Sequence, residues 1–111
     1  MKYNIELLRH IQDEIIFIFE TTNGKAKDII LSDGLICRAV IRSFEIIGEA
    51  SKKLEDEFKA AHPHVKWKKI AGTRDRLIHD YFGVDYEIIW DIIENKLPDL
   101  KLYIDNIINE A

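Results

Sequence analysis

Arg74-Asp75-Arg76-Leu77-Ile78-His79-Asp80-Tyr81 packs polar and ionisable side chains at unusual density around two apolar ones. Histidine can serve as a general base near neutral pH, and an arginine can hold negative charge as it develops. On a helix, Asp75 and His79 are four apart and share a face, so the carboxylate can accept a hydrogen bond from the imidazole and fix its tautomer. Arg74 and His79 are five apart, which is about 140° around the axis and roughly 7.5 Å along it. They do not touch within one regular helix, so Arg74 must reach round or act beside a second copy. Arg74 also falls in the first turn, where the helix dipole disfavours a cation unless an anion such as phosphate neutralises it. The alternative is structural: Arg76 and Asp80 form an i,i+4 ion pair, and the charges solvate a short surface helix.

Charge around this run is uneven. From Lys59 to Arg76 six cations (Lys59, Lys66, Lys68, Lys69, Arg74, Arg76) face one anion, Asp75, a net +5 that leaves −9 for the rest of a chain whose total is −4. The negative total argues against coating nucleic acid by bulk electrostatics, and the positive segment is either a solvated loop or a local guide for a polyanion. His62 and His64 flank Pro63 and, like His10, read as polar surface residues. Cys37 is the single cysteine, excludes an internal disulfide and falls in a stretch that reads as buried helix. No metal-ligand spacing, glycine-rich phosphate loop or nucleophile elbow is present in the sequence, so neither a metal nor a cofactor is expected.

The elements that must position these residues follow from apolar spacing. Ile5, Leu8, Ile11, Ile15, Ile16, Ile18 and Phe19 recur at helical intervals and predict a first helix from Asn4 to about Thr22. Asn23-Gly24 and Asp33-Gly34 bracket a loop with room for one helical turn between Ala26 and Leu31. A long scaffold helix is predicted from about Gly34 to Ala61, capped by Ser32 or Asp33 and stopped by His62-Pro63. Gly48 inside it points to close helix packing. Trp67 to Ala71 is a turn, and Gly72-Thr73 supplies a break and N-cap for a short helix from Arg74, which Gly83 would end in the left-handed conformation. Asp85 caps a helix with apolar Ile88, Ile89, Ile92 and Ile93, and Leu97-Pro98 breaks or kinks it before a last helix bearing Leu100, Tyr103, Ile104, Ile107 and Ile108. The expected fold is all-α, an antiparallel bundle of about four to five helices in a single domain over residues 1–111. No apolar run approaches the roughly 20 residues of a membrane span, and the N-terminus lacks a signal core, so a cytoplasmic location is expected.

Arg74-x4-His79-x-Tyr81, with Asp75 after the arginine, resembles the Arg-x4-His-x-Tyr motif of the HepT family in the HEPN superfamily. The likeness extends through Ile41-Arg42-Ser43-Phe44-Glu45-Ile46-Ile47-Gly48-Glu49-Ala50, His62-Pro63 before Trp67, and Tyr81-Phe82-Gly83-Val84-Asp85 with Ile89-Trp90, in family order. The resemblance implies a HEPN-like bundle and the toxin of a type VII-like toxin–antitoxin pair. It further implies a homodimer that gathers two motifs in one cleft, metal-independent endonucleolytic cleavage of RNA with tRNA favoured, and catalysis by Arg74 and His79 with Asp75 in support. Lys66, Lys68, Lys69 and Arg76 are the expected RNA-binding cations. Tyr81 carries over as the tyrosine to which an MNT-type nucleotidyltransferase antitoxin transfers AMP. The alternative is a non-catalytic module that docks the nucleotidyltransferase, with Arg74 and His79 only binding a nucleotide or phosphate.

Overall fold

The first helix, α1 (Lys2–Thr22), places Leu8, Ile11, Ile15 and Ile18 on one face, all fully buried. Each such side chain contributes about 1.5–3 kcal/mol relative to remaining in water, so this stripe fixes which way α1 faces. In the computed structural model, residues 2–79 and 83–111 are described, apart from the side chains at positions 2, 74, 78, 79, 83 and 84. Gly24, at a positive φ of 74°, ends α1 as Asn23-Gly24 foretold. The turn expected between Ala26 and Leu31 is α2 (Lys27–Ser32). Asp33 then caps α3 (Gly34–Lys53), its Oδ1 accepting from Leu35 N–H at 2.9 Å and Ile36 N–H at 3.1 Å.

The scaffold helix is shorter than its apolar stripe predicts. Leu54 and Glu55 are extended, and α4 (Asp56–Ala61) starts afresh. The cause lies 51 residues away in sequence. Asn4 is buried at the start of α1, where its Nδ2 donates to Glu55 Oε1 at 2.8 Å and its Oδ1 accepts from Glu55 N–H at 3.1 Å. A continuous helix would have spent that N–H on Ser51. The contact joins the start of α1 to the end of α3, so the two helices run antiparallel, as expected. Cys37 is buried and donates through Sγ to Ile30 O at 3.3 Å; burial, then the Asp33 charge, pushes its thiol above the ordinary range, in keeping with a core residue.

His62 ends α4 before Pro63. Trp67 Nε1 donates to His62 O at 3.1 Å while Phe58 packs near both rings, 4.6 Å from His62 and 6.1 Å from Trp67 by centroids. This clamp fixes the entry to α5 (Trp67–Ala71), which Gly72 separates from α6 (Thr73–Leu77). β1 (Ile78–His79) and β2 (Gly83–Val84) follow and pair antiparallel, and this short pairing sits on an otherwise all-α fold. Asp85 caps α7 (Tyr86–Asp91) by accepting from Ile88 N–H at 3.1 Å. The chain continues through a π-helical segment (Ile92–Lys96) into α8 (Leu97–Glu110), so the kink expected at Leu97-Pro98 is a widened turn. Pro98 has no N–H to return to Glu94 and its ring crowds that carbonyl; Leu97 N–H reaches back to Ile92 O instead. The core is built around α1, which packs against both α3 and α8, and α5 and α6 pack on α3, adding Trp67 and Leu77 to it.

Candidate active site and nucleic-acid groove

Thr73 is the hinge pin of the α5–α6 corner. It is buried and donates through Oγ1 to Lys69 O at 3.1 Å. Expected as the cap of a helix beginning at Arg74, it is instead the first residue of α6. Three residues on, Arg76 is exposed, and its Nη2 donates to Thr73 Oγ1 at 3.2 Å and Lys69 O at 3.3 Å, which sets the direction of the planar guanidinium. The Arg76–Asp80 pair weighed from sequence involves a position outside the described residues.

Arg74 has its backbone in the five-residue α6, as expected of a first-turn residue, and Asp75 is exposed beside it. The same helix was expected to carry His79, and it does not. Helix α6 stops at Leu77, and Asp85 N–H donates to Leu77 O at 2.7 Å beside the pairing of Ile78 with Val84 and His79 with Gly83. The shared helical face of Asp75 and His79 is therefore corrected, because His79 lies on extended backbone. Gly83 is likewise a strand partner of His79 and not the stop of a helix. Arg74 on α6 and His79 on β1 thus lie on different elements, with buried Leu77 between them in the chain. The side chains of Arg74 and His79, and Tyr81 as a whole, lie outside the described residues.

A groove of about 650 Å³ opens alongside α6, bounded by α3, the residues leading into α5, the π-helical segment and α8. Lys66, Lys69 and Arg76 line it, and Lys96 joins them; Asp91 and Asp99 are its anions. The lysine cluster is divided: Lys66, Lys68 and Lys69 are all exposed, but Lys68 does not line the groove. His64 and Tyr103 also line it, with ring centroids 6.0 Å apart and planes 17° from parallel. Sequence reading set His64 aside as a surface residue and placed Tyr103 on an apolar face, whereas Tyr103 is 40% exposed. Only the distance between them in the fold reveals the pair. Among the described residues no group of His, Cys, Asp or Glu is arranged to hold a metal, and no helix is long and apolar enough to cross a membrane.

Residues 11–107 match the family model described as ribonuclease HepT-like. The chain belongs to the HepT-like family. Among its HepT-like relatives, "Putative RNase TTE0752" of Caldanaerobacter subterraneus subsp. tengcongensis is 44% identical over 110 residues, 99% of this chain and 98% of that protein. "Probable ribonuclease HepT" of Thermococcus cleftensis is 42% identical over 96 residues, 86% of this chain and 87% of that protein. No solved structure gives a significant match. The HepT-like match spans α3, the α5–α6 corner, the β1–β2 pairing and α7, and so includes every element around the candidate site.

Proposed function

We propose that this chain is a metal-independent endoribonuclease, the toxin of a type VII-like toxin–antitoxin pair. The observation that supports the reading is that Arg74 on α6 and His79 on β1 flank Leu77 at the end of that helix, inside a segment matching a ribonuclease family and beside a cationic groove. His79 takes the proton of a ribose 2′-hydroxyl, the 2′-oxygen attacks the adjacent phosphorus, and the P–O5′ bond breaks as the 5′-oxygen takes the proton that the imidazolium returns. The products are a 2′,3′-cyclic phosphate and a 5′-hydroxyl end. Arg74 stabilises the charge that builds on the phosphorane, and Asp75 supports the site from α6.

One copy supplies a single Arg74 and a single His79, on separate elements. A two-fold dimer supplies each twice around a single scissile phosphate, which supports the homodimer as the working unit. The substrate is RNA, with tRNA the class that the family likeness favours, encountered in the cytoplasm through Lys66, Lys68, Lys69 and Arg76. An MNT-type nucleotidyltransferase is the antitoxin, and AMP on Tyr81 adds bulk and negative charge where a phosphate must sit. The test is cleavage of total RNA by purified wild type, Arg74→Ala and His79→Ala in the presence of EDTA. Wild type should cleave and both variants should fail while unfolding at the wild-type temperature. Full activity in His79→Ala, or a strict need for added Mg²⁺, overturns the mechanism, and absence of growth arrest on induction favours a docking module.

A further inference from the structure

We propose that the groove beside α6 holds one unpaired nucleotide of a single-stranded RNA, with its base against the Tyr103 ring and its phosphate toward Lys66, Lys69 and Arg76. This rests on the ribonuclease reading above and adds to it the form of RNA that the protein selects. The volume of about 650 Å³ falls in the range of small-ligand sites and exceeds what a lysine side chain or a few waters need. Its floor is apolar, with Phe44, Ile47 and Leu97 each about 3% exposed, and its rim is charged. That combination matches a nucleotide, which is flat and apolar on the base faces and anionic at one end.

Charge and aromatic geometry agree on the occupant. Lys66, Lys69, Arg76 and Lys96 outnumber Asp91 and Asp99, so an anion is preferred over a cation. The Nη2 anchoring of Arg76 fixes its guanidinium in one orientation, so less freedom is lost when a phosphate binds. Tyr103 is partly exposed and held nearly parallel to His64, which makes a preformed stacking platform. A base within a duplex is already stacked on its neighbours and cannot enter such a groove, whereas a splayed base in a loop or single strand can. The groove thereby favours cleavage of RNA at unpaired positions.

The test is fluorescence anisotropy in a His79→Ala background, using a short labelled mixed-sequence oligoribonucleotide with and without its complementary strand. Tyr103→Ala should weaken single-strand binding by about 5- to 150-fold, the range of one base–aromatic stack, and leave the salt dependence unchanged. Tyr103→Phe should restore binding, because the ring face does the work. Lys69→Gln should lower the salt slope by about 0.7, one phosphate contact on a single strand, whereas Lys25→Gln on the exposed turn after α1 should not. Binding by Tyr103→Ala equal to that of the parent, equal losses in Tyr103→Ala and Tyr103→Phe, or no preference for the single strand each overturns the proposal. Repeating the series with His79 restored separates the two readings. Stacking without cleavage removes the nuclease and keeps the groove; cleavage without a Tyr103 effect on binding removes the groove alone.

Discussion

Gly48 of α3 lies against the carbonyl of Ala71 at the end of α5, so that a β-carbon added there would fall 3.2 Å from that oxygen and 3.4 Å from the carbonyl of Ile70. Helix α5 leads directly into the corner carrying Arg74, and this contact sets how near the corner sits to the scaffold. Gly48→Ala must displace α5 by a few tenths of an ångström, a cost that the gain of about 1 kcal/mol in helix propensity largely offsets. Gly48→Val adds branches with no room and should lose about 1–3 kcal/mol. Urea unfolding of both variants checks this, and a Gly48→Val protein as stable as wild type would show that the α3–α5 approach is loose.

Asn4→Ala should cost about 1–3 kcal/mol, because it removes both hydrogen bonds of a buried side chain, at about 0.5–1.5 kcal/mol each, and strips the Glu55 N–H of its acceptor. The extended pair Leu54-Glu55 should then become more helical. Guanidinium unfolding with far-ultraviolet circular dichroism reads both effects. A stability loss below about 0.5 kcal/mol, the usual size of surface substitutions, would mean that another contact sets the break.

Tyr81 is the proposed regulatory position. Incubation with the cognate nucleotidyltransferase and ATP, followed by intact mass and peptide mapping, should find AMP on Tyr81 together with loss of RNA cleavage. Tyr81→Phe should escape inhibition. A partner that silences Tyr81→Phe as fully as wild type would show that inhibition works by binding alone.

The α1–α8 contact should weaken in acid. Asp105 accepts from Lys101 Nζ and Gln12 Nε2, both at 2.7 Å, and these bonds, led by that from Lys101, hold its carboxyl below the ordinary 3.8. A carboxyl more acidic in the folded than in the unfolded state contributes stability that is fully present above the unfolded value and disappears as pH falls through the folded one. Asp105 and Lys101 are both partly exposed and the pair is screened by solvent, so the contribution should stay below about 1 kcal/mol. Melting temperatures of wild type and Asp105→Asn should differ at neutral pH and converge in strong acid. A gap that widens as pH falls would contradict this.

Much of the fold could be read from short-range signals, because their causes are local. The spacing of Leu8, Ile11, Ile15 and Ile18, the caps Asp33 and Asp85, the stop at Pro63 and the packing implied by Gly48 each depend on a few neighbouring residues or on one helical face. What escaped the sequence depends on residues that meet only after folding. Asn4 breaks the scaffold helix from 51 positions away, and a pairing of two residues per strand offers no alternation to detect. The candidate catalytic residues stood out by type and by family likeness, but the relation of Asp75 to His79 was misjudged because α6 ends at Leu77. The division of Lys66 and Lys69 from Lys68, and the pairing of His64 with Tyr103, needed coordinates.

The widened turn from Ile92 to Lys96 is in effect an α-helix carrying one residue more than its turns need. Deleting one residue in that stretch, with Pro98→Ala to restore the missing N–H, would let the turn relax into ordinary α-helix and leave the phase of everything beyond it nearly unchanged. Leu97, Ile104 and Ile107 would still face the core, and Tyr103 would still lie beside His64. Regular helix has no such slack. One residue removed early in α8 would rotate all that follows by about 100° and shift it about 1.5 Å, swinging Ile104 and Ile107 out of the core. The approach to Pro98 is therefore where the C-terminal arm can absorb a change of length.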